Sequence, residues 1–340
     1  MPGEPAIERR SPTLWKVALR LLLSAVFLAV LITRGRDIGD SIPTDHGLRT
    51  GLLLSAAVLT MLLGIVLSAW RWQEVLLVFD ARVSIRTLTG HHLAGQFVGN
   101  VLPSTIGGDV LRVARVGKTV GSTSTAFASV VLERLSGMLA LPLLVVLGFA
   151  FRPSLLRADH AWFALVVAAI TLSVLGLILV AAGHPSVAGR FARNENWTRF
   201  IGAVFQGIDR GRRDPRRIAG VLVAALAYQV TIVGTYLLIF RALDADVPIA
   251  AAFAFVPAVS MLQALPISFG GLGVREGALV LFRHGLGVTS GVATTAGLLW
   301  YGSLVIVSML GAPIVAIGQK TKPTENDADG ADEAAAGIPS

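Results

Sequence analysis

Long apolar runs separated by short polar connections make up most of the chain. Such runs occupy residues 14–33, 50–69, 123–151, 161–183, 218–243 and 290–318. Each run has at least the roughly 20 residues that an α-helix needs to cross the hydrocarbon core of a bilayer. The ten-residue alternation of apolar and polar positions that marks the strands of membrane barrels is absent. The pattern therefore predicts an all-α polytopic membrane protein with about six full transmembrane helices.

Two shorter apolar runs, at 88–102 and 249–265, each end in the same motif. Residues 102–112 read LPSTIGGDVLR and residues 265–275 read LPISFGGLGVR, so both fit Leu-Pro, three residues, Gly-Gly, three residues, Arg. Proline removes a helical hydrogen bond and glycine imposes no side-chain constraint, so neither segment should continue as one straight helix. A chain rich in glycine and leucine also produces such matches by coincidence, but an internal repeat is the preferred interpretation. The predicted break or hinge residues are Pro103, Gly107, Gly108, Pro266, Gly270, Gly271 and Gly273.

Arginine is concentrated in one connection, residues 184–217. This stretch has eight arginines (190, 193, 199, 210, 212, 213, 216 and 217) and three acidic residues. Because cytoplasmic connections are enriched in Lys and Arg, it should be cytoplasmic, and the parity of the spans then makes both termini cytoplasmic. Segment 73–118 would begin and end inside, whereas segment 244–289 would begin and end outside. Each could be a re-entrant hairpin or a pair of thin spans. The two broken segments would thus form an inverted repeat, with halves at about 50–151 and 218–318. In such a repeat the broken helices meet near the midplane and form a substrate site.

Composition indicates where the transmembrane domain begins and ends. The chain has 340 residues, of which 54% are hydrophobic and 15% charged, and its formal net charge is +8. We expect a flexible N-terminus over residues 1–13, a transmembrane domain over 14–318 and a disordered acidic tail over 319–340. The sequence Trp70-Arg71-Trp72 closes the second run and is typical of an anchor at the membrane interface. Cysteine is absent, which excludes disulfides and thiolate metal sites.

Several ionisable residues lie close to the two breaks or inside an apolar run. Charges at membrane depth are costly and usually face a partner or a water-filled cavity, although these could also lie at headgroup level and only fix the topology. Glu133 belongs to a stripe of small and polar residues at helical spacing, which should face protein, whereas the adjacent Arg134 points elsewhere. A second stripe, Tyr228, Thr231 and Thr235, is better interpreted as ordinary packing between helices. The candidate binding residues are Asp109, Arg112, Glu133, Arg134, Arg275 and Glu276.

Motifs for catalysis or metal binding fail on their spacing. Gly117-Lys118-Thr119 resembles the end of a phosphate-binding loop, but Arg112 stands where that loop requires glycine. His91 and His92 are adjacent and therefore cannot share one helical face as two ligands. No Ser–His–Asp arrangement stands out. We expect no enzymatic activity, no metal, no cofactor and no nucleic-acid partner.

Three motifs in this order resemble a known membrane domain. They are residues 102–112, Glu133-Arg134, and the stretch from Pro266 through Gly270-Gly271-Leu272-Gly273-Val274-Arg275-Glu276. Together they resemble the flippase-like membrane domain of lysylphosphatidylglycerol synthases, over about residues 12–318. The resemblance implies a bacterial inner-membrane protein that moves lipids or lipid-linked compounds between leaflets. Those synthases carry a further soluble C-terminal domain, whereas about 20 residues follow the last span here, so we do not expect lysyl-lipid synthesis.

The sequence thus favours translocation of an anionic phospholipid or a polyprenyl-phosphate-linked lipid. Arg112 and Arg275 would hold the phosphate, because guanidinium forms bidentate charge-assisted bonds with it. Glu133 and Glu276 would orient those arginines or exchange a proton. One alternative is a non-transporting accessory protein that scaffolds a lipid-modifying enzyme or a glycosyltransferase. A membrane enzyme acting on a lipid headgroup is the third hypothesis.

Overall fold

A computed structural model describes residues 47–101, 107–183, 195–264 and 271–318, and these residues form helices and no strands. The predicted first span (14–33), the N-terminus 1–13 and the tail 319–340 lie outside them. In chain order the helices are α1 (Leu48–Val78), α2 (Ile85–Val101), α3 (Gly107–Val120), α4 (Thr123–Phe151), α5 (Ala161–Gly183), α6 (Glu195–Arg213), α7 (Pro215–Ala242), α8 (Ile249–Gln263), α9 (Val274–Leu281), α10 (Arg283–Leu286), α11 (Ser290–Met309) and α12 (Ala312–Gly318). Five candidate membrane spans are formed by α1, α4, α5, α7 and the stretch from α11 into α12. The all-α polytopic prediction is confirmed.

Helix α1 is longer than the apolar run at 50–69 predicted, because it continues to Val78. The side chain of Arg71 is only 5% exposed and that of Trp72 is completely buried. Both residues therefore face protein, and their interpretation as an interface anchor is wrong. The sequence after Trp72 still carries apolar residues at helical spacing, Val75 and Leu76, which keep this part of the helix packed against its neighbours.

The arginine-rich stretch 184–217 is not one loop, since residues 195–213 form the amphipathic helix α6. Its buried residues Ile201 and Val204 pack in one apolar cluster with Ala181 and Ala182 at the end of α5. Helix α7 begins at Pro215, three residues before the predicted span. Asp214 caps it by accepting a 3.3 Å hydrogen bond from the backbone N–H of Arg217.

The two broken segments enter the helix bundle from opposite ends. Helices α2 and α3 contain 17 and 14 residues, about 26 and 21 Å, and α8 contains 15 residues, about 22 Å. All are shorter than the hydrocarbon core, roughly 30 Å thick, so they fit re-entrant hairpins better than thin spans. Leu88 and Val116, one from each arm of the first hairpin, belong to one buried apolar cluster with Leu76 near the end of α1. The second hairpin lies at the other end of the bundle, where Phe255 contacts both Phe282 of the same hairpin and Phe149 near the end of α4.

The centre of the bundle is an antiparallel pair, α1 and α7. Arg49 contacts Asp244 at one end, Gly64 lies against Thr231 further along, and Glu74 lies against Gly220 near the other end. Helix α8 of the second hairpin packs on α4, and α2 of the first hairpin packs on α11. If α1, α2 and α4 correspond to α7, α8 and α11, the pairing of α8 with α4 is equivalent to the pairing of α2 with α11. That is the packing an inverted repeat predicts.

Candidate functional site

The carboxylate of Glu133 on α4 is completely enclosed and binds side chains from two other helices. Arg112 Nη2 on α3 donates to Oε2 over 3.1 Å, and Arg71 Nη2 on α1 donates to Oε1. Ser68, one turn before Arg71, donates its hydroxyl to the same Oε1 over 3.2 Å. A single carboxylate therefore joins the first re-entrant hairpin to two membrane spans.

Aromatic rings and a glycine hold the two arginines in place. The guanidinium carbon of Arg112 lies 4.2 Å from the ring centroid of Trp72, and that of Arg71 lies 4.9 Å from the ring of Tyr228. Gly137, one turn after Glu133, leaves the space that Arg71 occupies, since a Cβ there would lie 2.5 Å from Arg71 Nη1. These cation–π contacts offset part of the free energy that removing the two arginines from water costs.

Asp109 and Arg134 extend this group of charges, and their side chains are more exposed than those of Arg71 and Arg112. Arg134 Nε lies 2.5 Å from Asp109 Oδ2, and the other Asp109 oxygen lies 3.5 Å from Arg112 Nη1. The Arg134 side chain is 58% exposed and points away from the Glu133 side, as neighbours on a helix must. We call Arg71, Asp109, Arg112, Glu133 and Arg134 the Glu133 cluster. It contains three arginines and two carboxylates.

Some guanidinium N–H groups of this cluster have no hydrogen-bond partner within the described part of the chain. They are Nε and Nη1 of Arg71 and Nε of Arg112. Buried donors normally find an acceptor, so unpartnered ones in a cluster with excess positive charge indicate a place where an anion could bind.

The second motif builds a separate buried ion pair. Arg275 is completely buried, and its Nε donates to Glu276 Oε1 over 2.9 Å. The backbone N–H of Gly273 donates to Glu276 Oε2 over 2.5 Å, which fixes that carboxylate at the start of α9. The Arg275 guanidinium carbon lies 4.9 Å from the Trp300 ring centroid and 5.2 Å from that of Tyr301, both on α11. Its Nη1 has no hydrogen-bond partner among the described residues.

The described glycines of the two motifs have different local roles. Gly271 and Gly273 have φ of +75° and +84°, so they supply the left-handed turn that precedes α9. Gly107 begins α3, and Gly108 lies inside it against the backbone of Gly95 on α2, without room for a Cβ. The predicted break residues Pro103, Pro266 and Gly270 lie outside the described residues.

The structure places Arg112 and Arg275 in two sites, whereas the inverted repeat suggested one shared site near the midplane. Tyr228 stands over Arg71, and Tyr236 stacks on Trp300 with 5.8 Å between ring centroids. These two tyrosines are eight residues apart on α7, about 12 Å along its axis. The predicted stripe residues Thr231 and Thr235 lie between them and are buried.

Sequence reasoning missed Arg71 as a partner of Glu133. The spacing of Ser68 and Arg71, three residues apart on a face that continues to Val75, was the available signal. The flanking tryptophans pointed instead to the membrane interface. Neither of the two cavities that flank α6 is lined by Arg112 or Arg275. Arg112 and Arg275 are both buried among the residues that the structure describes.

Residues 17–311 match the family described as the lysylphosphatidylglycerol synthase TM region. The chain belongs to this family. The matched residues include nearly all of the described helices, the Glu133 cluster and Arg275. The chain is thus a multi-pass membrane protein of that family.

A curated relative supports the same assignment. The chain is similar to a "UPF0104 membrane protein" of Methanothermobacter thermautotrophicus, with 26% identity over 310 residues that cover 83% of this chain and 89% of the relative. No solved structure matches. The resemblance inferred from the three motifs is therefore confirmed at the level of the family.

Proposed function

We propose that this protein translocates an anionic phospholipid or a polyprenyl-phosphate-linked lipid between the leaflets of a bacterial cytoplasmic membrane, with both termini in the cytoplasm. In this proposal it is a transporter and not an enzyme. The observation that carries the proposal is the Glu133 cluster, where two buried arginines share one carboxylate and retain unpartnered N–H groups.

A lipid phosphate can replace Glu133 as the partner of Arg112. Phosphate and carboxylate both accept two parallel bonds from guanidinium, so the exchange keeps Arg112 paired throughout. Arg71 keeps Glu133 compensated while Arg112 turns to the phosphate, because it binds the other carboxylate oxygen. The cluster can therefore admit one negative charge without leaving a buried ion alone, which would cost several kcal/mol.

Exchange requires the first hairpin to move. Arg112 is on α3 of that hairpin, whereas Arg71 and Glu133 are on membrane spans, so separation of α3 from α4 opens the pair to lipid. The second hairpin offers a second buried arginine, Arg275, which approaches the bundle from the other end and is paired with Glu276 on its own helix α9. Two such arginines at different depths would give the headgroup two successive binding positions on its way across.

Purified protein in proteoliposomes tests the proposal. The measurement is leaflet accessibility of a labelled phospholipid or polyprenyl phosphate, compared with empty vesicles. We expect Arg112→Lys, Arg275→Lys and Glu133→Gln to suppress the excess rate, since lysine loses the planar fork and glutamine loses the charge. Arg152→Lys, at the exposed end of α4, is the matched control.

The scaffold hypothesis predicts a different result in the same assay. If wild type and the three variants move no lipid above background, and all still bind a lipid-modifying enzyme or glycosyltransferase, the protein is an accessory subunit. Membrane lipids, and such an enzyme if the scaffold hypothesis holds, are the partners we propose.

A further inference from the structure

A charged groove and an apolar crevice adjoin one another where α6 crosses the ends of α1 and α7. The groove has a volume of about 630 Å³, and its charged lining consists of Asp80, Asp209, Arg210, Arg213, Asp214 and Arg217. The crevice has a volume of about 200 Å³ and is lined by apolar side chains and Ser136. Val78 borders both.

The same three helices supply different residues to the two spaces. On α6, Asp209 and Arg213 face the groove while Val204 and Ile208 face the crevice; on α7, Arg217 faces the groove while Val221 faces the crevice. The crevice continues between α4 and α5, where Leu139 and Leu179 line it inside candidate spans. A polar space at the end of the bundle therefore adjoins an apolar space lined by residues of candidate spans, an order of polarity that matches a phospholipid.

The groove contains both signs of charge in equal number, and they are already arranged as ion pairs. Arg213 lies 2.7 Å from Asp209, Arg210 lies 3.5 Å from Asp80, and Arg217 lies 3.6 Å from Asp214. All six side chains are at least 40% exposed, and exposed ion pairs are weak, so a ligand can insert between the partners. A ligand with a phosphate and a protonated amine offers one group to the arginines and one to the aspartates, whereas a simple anion offers nothing to the aspartates.

We propose that this groove and crevice bind one amine-bearing phospholipid. Its phosphate contacts Arg213 and Arg217, its ammonium contacts Asp80 and Asp209, and part of one acyl chain occupies the crevice. The site is distinct from the Glu133 cluster: Leu77 in the groove is six residues after Arg71, about 9 Å further along α1. Lipid can bind here whether or not the protein translocates lipid.

Photo-crosslinking with diazirine-labelled acyl chains tests the proposal on the full-length protein in nanodiscs. The probes are phosphatidylethanolamine, phosphatidylglycerol and phosphatidylcholine, and mass spectrometry locates the adducts. We expect adducts on α4, α5 and α7 around the crevice, with phosphatidylethanolamine labelling most strongly. Phosphatidylcholine should label less because its quaternary ammonium donates no N–H, and phosphatidylglycerol because it has no amine.

Paired variants separate the headgroup contribution from the chain contribution. Arg213→Gln should reduce labelling by every probe, by roughly tenfold for one lost charge-assisted contact. Asp80→Asn with Asp209→Asn should abolish the preference for phosphatidylethanolamine and leave phosphatidylglycerol labelling unchanged or higher. Asparagine also tolerates the left-handed backbone at Asp80, where φ is +58°.

Two tryptophan variants on one helix control for folding. Leu179→Trp fills the crevice and should block labelling there. Leu177 is 67% exposed on the outer face of α5, so Leu177→Trp should not block labelling. Equal labelling by all three probes would reduce the site to acyl-chain binding and overturn the headgroup assignment. A preference for phosphatidylglycerol, or absence of adducts at the crevice in wild type, would also overturn the proposal.

Discussion

Gly108 on α3 lies directly against the carbonyl oxygen of Gly95 on α2, with no space for a Cβ between the two helices. This contact lets the two arms of the first hairpin approach closely, so that the Arg112 side chain passes beside Gly95. A Cβ at Gly95 would lie 2.8 Å from Arg112 Cγ. The position of Arg112 beside Glu133 thus depends on two glycines that carry no charge themselves.

Alanine at Gly108 should therefore disrupt the site without touching an ionisable residue. We expect Gly108→Ala to lower the melting temperature in detergent and to reduce lipid translocation, because the hairpin arms must separate. Gly99→Ala on α2 is the matched control, since its Cβ would lie 4.0 Å from Gly108, an ordinary contact. If Gly99→Ala is as damaging as Gly108→Ala, close approach at Gly95 is not what positions the hairpin.

The carboxylate of Glu133 should contribute more to stability than Arg71 does. Glu133→Leu leaves two buried arginines without their partner, which costs on the order of 3–5 kcal/mol. Arg71→Met leaves the bond between Glu133 and Arg112 intact and should cost less. Unfolding in detergent measures both, with Arg241→Met on the exposed side of α7 as the control. A larger loss for Arg71→Met would show that Glu133 is not the shared centre of the cluster.

Replacement of Arg112 or Arg275 by lysine should weaken lipid binding while the protein still folds. Loss of a bidentate charge-assisted contact costs about 1.5–3 kcal/mol, a roughly 10- to 150-fold decrease in affinity. Binding of a labelled anionic lipid to protein in nanodiscs measures this directly. Unchanged affinity in both variants would remove these arginines from the binding site.

Leucine at Gly271 should abolish function through the backbone. Its φ of +75° disfavours any residue with a Cβ, and that atom would clash with Gln263 on α8. We expect Gly271→Leu to insert into the membrane but to lose translocation. Gly277→Leu on the same hairpin has open space around it and should retain activity. Equal tolerance at both positions would mean that the motif acts only as a flexible linker.

The topology can be tested by labelling single cysteines, since the chain contains none of its own. A cysteine at Arg157, after α4, should react with an impermeant maleimide added from outside intact cells. A cysteine at Arg212, near the end of α6, should react only after permeabilisation. Both positions are exposed. Reaction of both from the same side would contradict the prediction that the two hairpins enter from opposite faces.

The apolar pattern by itself determined the class of protein, most of the spans and the two broken segments. Span length is fixed by the thickness of the bilayer, and proline and glycine act locally, so these features can be read along the chain. The stripe containing Glu133 was also predictable, because helical spacing decides which neighbours share a face. Helix α6 (195–213) was not predicted because its arginines dominated the interpretation of this stretch.

Only the tertiary structure decided which charges meet. Arg71 and Glu133 are 62 residues apart, and no local pattern specifies that α1 and α4 bring them together. The same is true of Arg275 and the rings of α11, and of the separation between the two arginine sites. A buried charge must be compensated by whatever group the packing places beside it, and that partner is selected by how the helices cross.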